Sequence, residues 1–262
     1  MANTEKPEQK RKRPPRTLLL LEGRAVFEFA ALLPALPVLR RAPRGDGQPV
    51  LVLPGLMASD LSTRALRGFL QRLGYPAYGW GLGRNVGPSP QMARGLAQRL
   101  DELLHRHERP VSLIGWSLGG IYARELARRF PDDVRQVITL ASPFRDPEAT
   151  NVPAALLARR QLHPDERLFR ERLETPLAVP STAIYSRSDG VVSWRSCCEK
   201  PGPESESIEV LSSHLGMGYH PVVLLTIADR LSQPEDAWKH FRPPAGWSWP
   251  LVPRVAQPTE PV

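Results

Sequence analysis

The stretch VSLIGWSLGGIYARELARRF, Val111 to Phe130, decides the fold. Its first four residues, apolar except for Ser112, are too few for a helix and read as a strand buried on both faces. Leu118 to Phe130 then follows a helical period that Pro131 stops. Between them lies Gly115-Trp116-Ser117-Leu118-Gly119-Gly120. A turn from strand straight into helix is so sharp that a side chain two residues either side of the serine would strike its neighbours. Glycine is needed at both places. Such a turn projects the Ser117 hydroxyl above the sheet edge, and the helix aims its first amides and its positive dipole end at the same spot.

Outward from this turn the same rhythm repeats. Pro49 to Leu53 reads as a strand. The helix after it takes Ser59 or Asp60 as N-cap, places Leu61, Leu66, Phe69 and Leu73 on one side, and ends at Gly74. Ala77 to Trp80 is a short strand, the segment to Gly87 is a Gly-rich loop, and Met92 to Leu104 is an amphipathic helix. Downstream, Val134 to Leu140, Ala183 to Tyr185 and Ile208 to Leu211 are strands, and Val222 to Leu231 is a closing helix. This alternation specifies an α/β protein with a mostly parallel central sheet and helices on both faces. Residues 144–175 interrupt it with an Arg- and Glu-rich, helix-like stretch, read as a small helical lid or cap insert. The chain divides into an extension at 1–45, a core at 46–233, and a Pro- and Trp-rich tail at 234–262 without usable period.

The 262 residues carry 35 Lys and Arg against 27 Asp and Glu, a net charge of +8. Ten of the basic residues and four of the acids fall in 1–45, so the body is nearly balanced. With no zinc-ligand spacing, no RNA-binding sheet motif and no basic stripe through the body, nucleic-acid binding is not expected. Thr17 to Leu39 is rich in Leu, Ala and Phe but broken by Glu22, Arg24, Glu28, Pro34 and Pro37. With those charges no signal peptide is expected, and no apolar run reaches the length of a membrane span. Two readings stay open. Either Val26, Phe27, Phe29, Leu32 and Leu33 enter a lipid headgroup layer between flanking arginines, giving peripheral membrane contact through 1–45, or the segment packs its apolar face on the core. The adjacent Cys197 and Cys198 make no disulfide framework and no metal-ligand spacing, which fits a cytoplasmic protein.

A serine hydroxyl needs a base, and the base needs an orienting carboxylate. Of six histidines, His105 and His107 lie on a charged helix end, and His163 in the insert. His214, in the loop after the last strand, is the expected base; His220, at a helix start, is the rival. Asp189, after the strand ending at Tyr185, is the expected acid. Gly190 there allows a turn, and Asp146 is the alternative.

Gly115 to Gly120, Asp189-Gly190-Val191-Val192 and Ser213-His214-Leu215-Gly216 together resemble the α/β-hydrolase superfamily, in particular its lipase- and esterase-like members, over Pro49 to Leu231. The resemblance implies the α/β-hydrolase fold and a serine hydrolase of carboxylic esters working through an acyl-enzyme, with no cofactor and no metal. The substrate would be a small-molecule or lipid acyl ester. Ser117, Asp189 and His214 would form the triad, with the oxyanion held by the backbone N–H groups of Leu56 and Leu118. Many relatives carry His-Gly after the first core strand where Pro54-Gly55 stands here. Because the donors are amides, that histidine is not required. Asn85 lines the pocket or makes a turn. The same triad serves an acyltransferase. A non-catalytic membrane-surface protein is the third reading, though it has no need of an intact triad.

Overall fold

The computed structural model describes residues 13–153, 175–235, 237–243 and 254–255. Seven strands form one sheet in the order β2-β1-β3-β4-β5-β6-β7. They are β1 (Val50–Leu53), β2 (Ala77–Gly79), β3 (Val111–Trp116), β4 (Val134–Leu140), β5 (Ser181–Tyr185), β6 (Ser205–Glu209) and β7 (Arg254–Val255). The first six pair in parallel and β7 pairs antiparallel with β6. The tail strand β7 carries no periodic signal in the sequence. The β6 strand begins and ends before the expected Ile208 to Leu211, because only Ser205 to Glu209 matches the register of β5.

Strand residues alternate between two cores. Val50, Val52, Ile114, Ile138, Leu140 and Ile184 pack under α3 (Leu32–Leu39), α4 (Arg64–Arg72) and the closing helix α7 (Pro221–Leu231). Leu51, Leu53, Leu113, Val137 and Ala183 pack under α5 (Pro90–His107) and α6 (Leu118–Arg129). Burial on both faces is why these strands are predominantly apolar and β-branched rather than strictly alternating.

Local chemistry sets the helix ends. The Ser89 side chain accepts the Met92 N–H at 3.1 Å with Pro90 at the first helical position, and Leu96, Leu100 and Leu103 form the buried stripe of α5. Neither Ser59 nor Asp60 caps α4, whose N-cap residue is Thr63. Asp60 instead accepts the N–H groups of Trp80 and Gly81 at 3.0 and 3.1 Å, so Leu61 falls before the helix and is exposed.

The start of the expected lid is not helical. Residues 144–153 run as irregular chain against the core, with Phe144 buried beneath the Arg124 guanidinium and Thr150 bridging Val192. The remainder, 154–174, and His163 within it, lie outside the described residues.

Residues 13–45 lie along the core. A 3₁₀ turn (Glu22–Arg24) and a break at Ala31 separate α1 (Thr17–Leu21), α2 (Ala25–Ala30) and α3. The stripe that faces inward is Glu22, Ala25 and Glu28, then Leu32, Ala35, Leu39 and Ala42. Only its second half is apolar. The charged residues that interrupt the sequence therefore point in, while Leu20, Val26, Phe27 and Leu33 point out. Both expectations for this segment are thereby revised in part, since Leu32 packs inward and Phe27 does not.

Candidate active site

The strands end in register on one edge. Leu53 pairs with Gly115, Trp116 with Leu140, Leu140 with Ile184, and Tyr185 with Glu209. The residues singled out in the sequence lie just beyond these ends, Ser117 after β3, Asp189 after β5 and His214 after β6. In open parallel sheets this carboxyl edge is where ligands bind.

Ser117 sits at φ 54°, ψ −121°, a conformation that residues other than glycine rarely take and that costs on the order of 1–3 kcal/mol. It is held there by its N–H, which donates to Leu140 O at 2.8 Å, and by its carbonyl, which accepts from Gly120 at 3.0 Å. A methyl group on Gly115 would run into the Gly119–Gly120 backbone, and one on Gly119 into the carbonyl of Leu53. The two glycines are thus fixed by the close packing of α6 onto β1 and β3. The exit of β1 crosses the same point, since a Cβ on Gly55 would stand 3.2 Å from the Cβ of Ser117. Leu56 follows directly, and Leu118 opens α6. Asn85 is fully buried as a strut, donating to Pro54 O at 2.9 Å and accepting from Gly87 N–H at 3.2 Å.

Asp189 and His214 are in direct contact, with Nδ1 of the imidazole 2.7 Å from Oδ2 of the carboxylate. The other oxygen, Oδ1, accepts the N–H groups of Val191 and Val192 at 2.7 and 2.9 Å, which locks the carboxylate plane. The His214 carbonyl accepts the Trp116 indole N–H at 3.1 Å, tying the His214 loop to the residue before Ser117. Burial acts to lower the His214 pKa, but the charge and hydrogen bond of Asp189 and the charge of Glu22 outweigh it and hold it above the ordinary value.

The rivals have other partners. His220 caps α7, its Nδ1 accepting from Val222 N–H at 3.2 Å. His107 contacts the Tyr78 hydroxyl at 2.9 Å, and His105 lies exposed beside Asp101. Asp146 accepts from the Glu148 N–H at 3.2 Å within a turn. Both cysteines are buried free thiols; burial pushes them up, Cys198 to about 12. Among the described residues, no group of three or more His, Cys, Asp or Glu is placed to hold a metal ion.

Sequence reasoning missed the support of these loops by the N-terminal segment. Glu22 Oε1 accepts the N–H groups of Gly190 and His214 at 2.8 and 3.0 Å, and Oε2 that of Leu215 at 3.0 Å. Glu28 accepts the Ser213 N–H at 2.8 Å and its hydroxyl at 2.5 Å. Arg24 pairs with Glu28 at 3.0 Å and donates to the Ser188 hydroxyl at 2.7 Å and its carbonyl at 3.2 Å. Gly190 has no positive φ; its missing side chain leaves room for the backbone of Leu18. The signal was present as Glu22-Ala25-Glu28, a three-residue spacing that puts two carboxylates on one helix stripe.

The model of the alpha/beta hydrolase family matches residues 50–257. Among curated proteins, the chain is 29% identical over 125 residues to a pimeloyl-[acyl-carrier protein] methyl ester esterase of Aeromonas hydrophila, covering 46% of each chain. It is 31% identical over 113 residues to the protein of that name from Chromobacterium violaceum, covering 42% of this chain and 44% of the other. The chain thus spans less than half the length of these relatives. Among solved structures it resembles an alpha/beta superfamily hydrolase from Oenococcus oeni (TM-score 0.55, 17% identity, 71% of this chain and 91% of the other). Aspergillus fumigatus lipase B is similar at TM-score 0.53 and 17% identity, over 72% of this chain and 54% of the other. With the family model spanning the sheet from β1 to β7, the chain belongs to the alpha/beta hydrolase family.

Proposed function

We propose that this hydrolase cleaves carboxylic esters of small molecules through Ser117, His214 and Asp189. The observation that carries the reading is the 2.7 Å contact between Asp189 and His214, on the sheet edge that also carries a serine in a strained strand-to-helix turn. An ionised carboxylate only accepts, so the imidazole keeps its proton on Nδ1 and offers Nε2 as base. Ser117 Oγ attacks the ester carbonyl while Nε2 takes its proton. The oxyanion that forms is received by the N–H groups of Leu56 and Leu118; losing one such donor costs about 10²–10³ in rate. The imidazolium returns its proton to the leaving alcohol, and the acyl group stays on Ser117. Water, deprotonated by His214, then releases the acid. The methyl ester named for the curated relatives supports a small leaving alcohol.

A fluorophosphonate probe tests the reading directly. The parent chain labels and Ser117→Ala does not; label retained in the variant would overturn the assignment. Hydrolysis of p-nitrophenyl esters of increasing acyl length gives the acyl preference. The same panel with an added alcohol reads whether water or the alcohol takes the acyl group.

A further inference from the structure

We infer that the outward side of the N-terminal helices, with the arginine-lined groove beside Phe29, is a docking surface for an anionic lipid bilayer. The inference is independent of the catalytic reading. Its first observation is the inverted segment. Because its inward stripe is given to Glu22 and Glu28, the bulky apolar residues are left outside: Leu20 is 83% exposed, Val26 72%, Phe27 77% and Leu33 74%. Four bulky apolar side chains left exposed within fourteen residues point to a contact site.

The second observation is charge. Arg13 and Arg16 precede the segment and Arg40, Arg41 and Arg44 follow it, all exposed. On the adjacent helix α4, Arg64, Arg67 and Arg72 line a groove whose other walls include Phe29, Leu61 and Tyr219. Among the described residues none of these three arginines pairs with a carboxylate; Arg67 donates to the neutral oxygens of Thr63 and Asp60. Apolar side chains with arginines at both ends of their segment and on the neighbouring helix match a headgroup layer, where acyl chains lie beneath phosphates. A second copy fits worse, since a two-fold contact would lay this cationic surface against itself. The helices of the described residues are too short or too polar to cross a membrane, so the contact is peripheral. The same segment braces the loops of Asp189 and His214, so docking sets that edge of the sheet close to the lipid.

Flotation of the full chain with vesicles tests this. The chain should rise with vesicles of equimolar phosphatidylcholine and phosphatidylserine, remain at the bottom with phosphatidylcholine alone, and be released by salt. Leu20→Ser, Phe27→Ser and Leu33→Ser combined should lower the floated fraction about tenfold or more. Circular dichroism should show that variant folded, because the three side chains are exposed. Arg64→Ala with Arg72→Ala should weaken flotation without loss of fold. No flotation on the anionic vesicles, or full flotation of the triple variant, would overturn the inference. So would a dimer that the triple variant dissolves and that never floats, since that result assigns the face to a second copy. Hydrolysis of a water-soluble ester by the same samples reports the catalytic reading separately.

Discussion

Glu22 accepts the main-chain N–H of His214 at 3.0 Å across 192 residues of sequence. The same oxygen also accepts from Gly190 at 2.8 Å, so one buried carboxylate spans the loop of the expected acid and the loop of the expected base. It also adds negative charge beside the imidazole.

Glu22→Gln should therefore act in two ways. Its amide accepts through one oxygen only, so the loops lose a bond and kcat falls about 10- to 10²-fold. Loss of the charge also removes one cause that raises the His214 pKa. Since the base acts only when neutral, activity is lost as pH falls through that pKa, and a lower pKa moves the acid limb of kcat/KM to lower pH. A limb that stays in place while kcat drops would assign Glu22 a purely mechanical role.

Asp189→Asn keeps the oxygen that receives Val191 and Val192, so the loop should stay folded. The amide nitrogen then faces Nδ1, forcing the other imidazole tautomer with its proton toward Ser117. A fall in kcat of about 10⁴ is expected, with the melting temperature nearly unchanged.

Gly190→Ala tests the docking of the N-terminal segment. The added methyl would meet the backbone of Leu18, so α1 must move and carry Glu22 with it. Ester hydrolysis should fall, and proteolysis should reach residues before Glu22 faster than in the parent. Unchanged cleavage would show that the segment is not seated there in solution.

Glu206→Ala tests the far end of the chain. Glu206 is buried in β6, accepting from Arg230 at 2.7 Å and from the Phe241 N–H at 2.7 Å. Removing it leaves a buried guanidinium with, among the described residues, only the partly exposed Asp229 as acid partner. Such a break costs about 3 kcal/mol, readable as a lower urea midpoint.

The turn at Ser117 could be read from sequence because glycine has no substitute where α6 meets Leu53 O, and chemistry with one solution leaves a clear mark. Strands β1, β3 and β4 were equally legible, since burial on both faces favours short apolar and β-branched runs, unbroken in β1 and interrupted by few polar residues in the other two. The expected Asp189 and His214 meet because two short loops leave adjacent parallel strands at the same edge. Leu61 was misplaced because Asp60 serves a distant loop rather than its own helix. Glu22 and Glu28 look like interruptions in the sequence because they accept main-chain N–H groups, which have no side-chain signature. For the same reason β7 was invisible, as its pairing with β6 is made by backbone alone.

The contact between Glu22 and the His214 loop also dictates a schedule. A ribosome adding about 5–20 residues per second needs roughly 10–40 seconds to pass from one residue to the other. Throughout that interval the first helices have no seat on the nascent protein, and their apolar side chains are offered to chaperones or to any bilayer within reach.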